Sequence, residues 1–132
     1  MKDKFAVDSN IIIYSLNRDA GRKHEAALNF LSKAENRDAA IPLQCLAETY
    51  FQITKKNVST EKGRKAVESL KHDTDFRIIN YGVRELDEAV KTDRNFWDRL
   101  IEATLLENGY KTIYTENIND FQEIETINPL ET

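Results

Sequence analysis

The sequence predicts an α/β fold: three layers, α/β/α, around a mostly parallel central sheet of four to five strands. Three observations lead there. Short apolar runs of strand character recur along the chain, and most are followed by segments with apolar residues at helical spacing. Those intervening segments are long enough for the helical crossovers that parallel strands require. Four glycines and two prolines in 132 residues leave no room for linkers, so residues 1–132 read as one domain with short connections.

Lys4 to Val7 is a short buried strand, and Asn10 to Leu16 a helix that Ser9 or Asn10 is positioned to cap. Residues 22–34 place Ala26, Ala27, Phe30, Leu31 and Ala34 on one helical face. "AAIP" at 39–42 is a second strand, and Pro42 suits the first turn of the helix "PLQCLAETYFQIT". Thr60 opens a helix over 60–72 that carries Ala66, Val67 and Leu70. "FRIIN" at 76–80 is a strand; "RELDEAVKTDR" and "FWDRLIEATLLEN" are successive helices, the second closed by Gly109. "KTIYT" at 111–115 and "IETIN" at 124–128 complete the strands.

Composition excludes several classes. With 40% hydrophobic and 32% charged residues the chain reads as an ordinary soluble domain. Its apolar runs are far shorter than a membrane span, and "MKDKFAVDSN" lacks the apolar segment of a signal peptide, so a cytoplasmic address without membrane contact is expected. The single cysteine, Cys45, allows no internal disulfide and reads as a small core residue. A net charge of −4 argues against coating nucleic acid through bulk charge, yet admits a site where cations offset clustered acids.

Such a cluster is readable. Asp8 ends the first apolar strand, where ligands gather in open parallel sheets. Glu48 interrupts Leu46, Ala47, Tyr50, Phe51 and Ile53; Asp98 lies in the first turn of a helix, between Trp97 and Leu100. The last long strand runs into a loop with Glu116, Asn117 and Asp120. Each acid also has an ordinary reading: Asp8 as a helix cap, Glu48 as an exposed helical residue, Asp98 as a partner of the helix dipole, Asp120 as a turn cap. Together they imply an all-oxygen site for Mg²⁺ or Mn²⁺, because converging carboxylates repel unless cations or protons neutralise them. His24 and His72 stand alone in polar helical contexts and read as solvent-exposed.

"VDSNIIIY", "LAETYF", "FWDRLIEATLLENG" and "IYTENINDF" resemble, in order and at ordinary spacing, the four acidic motifs of PIN domains. The resemblance runs from Phe5 to about Pro129 and implies the fold already read from periodicity. It implies a metal-dependent endoribonuclease, similar to the VapC-type toxins of toxin–antitoxin pairs. By position, Asp8, Glu48 and Asp98 become metal-binding acids, with Ser9 and Thr115 as supporting hydroxyls. At the fourth position Asn117 stands where many relatives carry aspartate; Asp120 is favoured as the acid, with Asn117 as a neutral oxygen ligand and Glu116 as the third choice. The implied partners are an RNA substrate, a cognate antitoxin and a second copy of the chain, through helical faces around 28–34 and 46–54.

For phosphate contacts the sequence offers "RKH" at 22–24, "KK" at 55–56, "EKGRK" at 61–65 and, above all, Arg99 beside Asp98. Tyr14, Tyr50, Phe51, Phe96 and Trp97 could stack bases, although core or dimer packing is the simpler expectation. A haloacid-dehalogenase-like phosphatase would need an aspartate where Asn10 stands. A receiver domain would need an acidic pair and a strand-terminal lysine that the chain lacks. The remaining alternative is a degenerate PIN scaffold that binds RNA or a protein without cutting, prompted by Asn117.

Overall fold

Phe5, Ala6 and Val7 have no exposed surface, as a strand covered on both faces requires. They belong to β1 (Lys4–Val7), the central strand of the computed structural model, which describes residues 1–55, 59–92 and 94–131. In chain order follow α1 (Ser9–Leu16), α2 (Arg22–Ala34), β2 (Asp38–Pro42), α3 (Leu43–Lys55) and α4 (Thr60–His72). The chain continues through β3 (Arg77–Ile79), α5 (Val83–Ala89), α6 (Phe96–Glu107), β4 (Thr112–Tyr114) and β5 (Glu125–Ile127). The five strands form one sheet in the order β3-β2-β1-β4-β5, and every neighbouring pair is parallel. The α/β architecture expected from the sequence is therefore present, with the upper of the two strand counts.

The core is aliphatic with one aromatic cluster. Ile11, Ile41, Leu105 and Ile113 are fully buried. Phe5 meets Tyr114 edge-on at 4.8 Å, and Tyr114 meets Phe30 at 4.7 Å, which ties β1 and β4 to α2. Such pairs each add about 1 kcal/mol beyond the area they bury.

Three boundaries depart from the sequence reading, each for a local reason. Asp8, not Ser9 or Asn10, caps α1: its carboxylate accepts from the Ser9 N–H, and both following residues are helical. Pro42 ends β2 instead of opening α3; β1 pairs only as far as Ala40, so that neighbour asks nothing of the missing N–H. The helix expected over residues 84–94, of which residue 93 lies outside the described residues, stops at Ala89. The Thr92 hydroxyl there accepts from the Arg94 N–H and donates to the Arg94 carbonyl, local bonds that compete with helix. Gly109 follows α6 with φ +82°, the left-handed value that the sequence position predicted.

α4 packs on α3 through Gly63, which is buried. A Cβ at this position would stand 2.8 Å from Thr54 Cγ2 and 3.1 Å from the Tyr50 ring. Gly63→Ala should therefore lower the melting temperature, because overpacking by about 1–3 kcal/mol exceeds the roughly 1 kcal/mol that alanine gains in helix propensity. A thermal melt showing stabilisation would mean that the two helices separate freely at this point.

Candidate functional site

The sheet register builds the site. Val7 pairs with Tyr114 at the carboxyl ends of β1 and β4, and the Asp8 N–H extends the ladder to the Tyr114 carbonyl at 3.0 Å. Asp8 and Thr115 are thus the next residues on adjacent strands, both buried. The Thr115 hydroxyl donates to Asp8 Oδ2 at 2.8 Å and accepts from Asn10 Nδ2 at 3.2 Å and from the Asn117 N–H at 3.0 Å. One donor and two lone pairs are then fully used, so Thr115 locks Asp8 against the loop after β4. Asn10 Oδ1 accepts from the Glu116 N–H, a second tie between α1 and that loop.

α3 starts directly after β2 at the same carboxyl end of the sheet and brings Cys45 up to Asp8 and Glu48 up to Ser9. Glu48 is exposed, as its ordinary reading had it, but it is not detached. The Ser9 hydroxyl donates to Glu48 Oε2 at 2.8 Å, while its distance to Asp8 Oδ1 is 3.5 Å. A hydroxyl has one proton, and the shorter contact with Glu48 takes it. Cys45 is fully buried with its thiol 3.5 Å from Asp8 Oδ1. Burial, then the charges of Asp8 and Glu48, push that thiol well above its usual range, so it stays protonated.

The chain enters α6 through Asn95, whose φ of +50° is the left-handed conformation that asparagine tolerates better than most residues. Asp98 follows in the first turn, half-buried. Its carboxyl is raised from 3.8 to about 6, first by burial, then by the negative charges of Asp120 and Asp8, with Glu48 adding to them and Arg99 opposing them. Asp98 therefore lies within electrostatic reach of the three other acids named from the sequence. Among the described residues, no three His, Cys, Asp or Glu side chains stand together as a formed metal cage. The four acids share an electrostatic neighbourhood, not a closed coordination sphere.

Arg99 is not placed as the exposed phosphate contact that the sequence suggested. It is 7% exposed; its guanidinium donates to the Asp120 carbonyl and lies 3.3 Å from Glu102 Oε1. Glu102, also buried, accepts from the N–H groups of Gln122, Glu123 and Ile124 at 2.7–3.1 Å through Oε2. The pair clamps the segment that carries Asp120. Glu102 was missed in the sequence, although a second charge inside "WDRLIEATLLE", three residues after Arg99, was the available signal. Asn10 and Cys45 were also missed as parts of the site.

Glu116 is committed elsewhere. Tyr14 donates to its Oε1 at 2.7 Å and Lys23 pairs with its Oε2 at 2.6 Å. Burial pushes its carboxyl up, but the bonds from Lys23 and Tyr14 outweigh that and hold it below its usual value. Lys23 is accordingly spoken for, and His24, far from fully exposed, has Nδ1 2.9 Å from the Tyr14 carbonyl. His72 is exposed beside Glu68. Asn117 and Asp120 both lie on the loop after β4, Asn117 exposed and Asp120 half-buried. Lys62, Arg64 and Lys65 are exposed on α4, Lys55 ends α3, and Lys56 lies outside the described residues. Among the described residues, no helix is long and apolar enough to cross a membrane.

Comparison with known proteins agrees with this architecture. The structure superposes on the sarcin–ricin-loop-cleaving toxin VapC20 of Mycobacterium tuberculosis with a TM-score of 0.70 at 14% identity, over 92% of this chain and 98% of that one. It superposes on a toxin–antitoxin complex from Klebsiella pneumoniae with a TM-score of 0.67 at 24% identity, over 96% of this chain and 98% of that one. Among the curated proteins, none matches the chain. The PIN domain family model matches residues 5–126, and the chain belongs to that family.

Proposed function

We propose that the protein is a metal-dependent endoribonuclease, the toxin of a toxin–antitoxin pair. The observation that carries this reading is geometric: at the carboxyl end of a parallel sheet the Ser9 hydroxyl joins Glu48 to the segment of Asp8, Thr115 fixes Asp8, and Asp98 lies within electrostatic reach of both acids and of Asp120. The donor set fits a hard divalent cation in kind. Every candidate ligand is a carboxylate or amide oxygen, and the nearest guanidinium, Arg99, is turned to Glu102 and the Asp120 carbonyl.

In this proposal Asp8, Glu48, Asp98 and Asp120 would hold Mg²⁺ or Mn²⁺. Such an ion activates water and stabilises charge on the phosphate and the leaving oxygen. Ser9 spans Asp8 and Glu48 and sets their spacing. Thr115 fixes the Asp8 carboxylate by donating to Oδ2 and the Ser9 N–H by donating to Oδ1, which leaves each oxygen a further lone pair for a cation. Asn117 offers a neutral oxygen beside Asp120. Glu116 supports from behind by anchoring the loop to Tyr14 and Lys23. Arg99 positions the Asp120 segment. A homodimer through the helical face around residues 28–34, where Leu28 is exposed, and a cognate antitoxin complete the proposed assembly.

The test is cleavage of RNA by the purified chain with Mg²⁺ or Mn²⁺ and with EDTA. Expected are metal-dependent products bearing 5′-phosphate and 3′-hydroxyl ends, the signature of attack by water. Binding without cleavage under either metal would select the degenerate scaffold instead.

A further inference from the structure

We infer that an exposed aromatic groove beside the acids, built by Phe51, Tyr81 and Trp97, is a subsite that takes RNA bases by stacking; this rests on the nuclease reading above. The groove, of about 540 Å³, is lined by Leu43, Ala47, Glu48, Phe51, Tyr81 and Trp97. It is formed by one face of α3, the turn before α5 and the first turn of α6. Phe51 is 59% exposed, Trp97 58% and Tyr81 41%, although large aromatics normally gain by burial. The sequence favoured core or dimer packing for Phe51 and Trp97; within this chain, neither is buried.

The groove is continuous with the proposed reaction site, because Glu48 belongs to both and Trp97 immediately precedes Asp98. Its chemistry suits a nucleic acid strand. Flat rings take the π-face of any base. Lys55 lies over the Phe51 ring at 5.9 Å and sets a cation beside the stacking surface, where a backbone phosphate needs one. In a duplex the bases already stack on one another and cannot enter. The occupant is therefore an unpaired stretch of RNA.

Trp97 is the single tryptophan, so its emission reports on the groove directly. The whole protein is titrated in EDTA, which holds hydrolysis off, with a mixed-sequence RNA of about ten nucleotides, single-stranded or as a blunt duplex. Saturable quenching by the single strand, at concentrations where the duplex gives none, is expected. In cleavage assays Phe51→Ala and Tyr81→Ala should each raise KM about tenfold with kcat within about twofold, and Phe51→Tyr and Tyr81→Phe should restore it. Equal quenching by the duplex, or unchanged KM in an active enzyme, overturns the assignment. So does a dimer that Phe51→Ala dissociates while KM holds, since the groove then belongs to a second copy. Selective quenching in a protein that cuts no RNA under either metal supports the groove and removes the nuclease reading.

Discussion

Asp98→Asn should abolish RNA cleavage and at the same time raise the melting temperature. A carboxylate lifted to about 6 by burial and by three neighbouring acids is held in its charged form at a cost to the fold. The sign follows from the direction of the shift. The folded protein binds the Asp98 proton more tightly than the unfolded chain does. Stability is therefore undiminished below the ordinary carboxylate value, falls as pH rises through about 6, and is flat beyond. Asparagine removes the penalty. Asp98 is only half-buried, so solvent screens the effect to about 1 kcal/mol, or roughly 3–5 °C at pH 7.5, shrinking toward zero near pH 4. Cleavage should fall beyond roughly 100-fold, since loss of a residue that merely orients a ligand already costs 10- to 100-fold. A melt and a gel assay on one preparation decide the matter. Loss of stability together with activity would show that Asp98 is structural.

Glu102→Ala is expected to be the most destabilising single change. It leaves the Arg99 guanidinium buried without its carboxylate and strands the N–H groups of Gln122, Glu123 and Ile124. Breaking a buried pair on one side costs about 3–5 kcal/mol, on the order of 10 °C or more here. Cleavage should drop as well, because the carbonyl that Arg99 holds is that of Asp120. The double variant Arg99→Met with Glu102→Leu separates the two contributions. Removing both charges should recover the part due to the stranded guanidinium. The part due to three unpaired amides should remain. Full recovery of the melting temperature would mean that the loop anchor contributes nothing.

Periodicity carried the fold because alternation of buried strands and amphipathic helices is a local property. The order β3-β2-β1-β4-β5 was not legible, because the side of β1 on which β4 adds is decided by contacts distant in sequence. Ends of elements were less legible where a side chain competed with the backbone, as Asp8 did by capping α1 and Thr92 by bonding the Arg94 N–H after α5. In the site, Asp8 was legible because a charge that ends a buried apolar strand must be paired or face a cleft. Its double role as cap and candidate ligand reconciles both readings. Arg99 misled because its neighbour in sequence, Asp98, lies on a different side of α6. The partner that defines Arg99, Glu102, sits one helical turn on and reaches backbone amides some 20 residues away. Bonds of that kind leave no periodic trace.

The most direct test of the central claim, that the four acids face one divalent cation, is anomalous diffraction from crystals soaked in Mn²⁺. A peak about 2.1 Å from carboxylate oxygens of Asp8 and Asp98, with Glu48 or Asp120 completing the shell, is the predicted result. Manganese bound elsewhere, with these carboxylates uncoordinated at saturating metal, would contradict it.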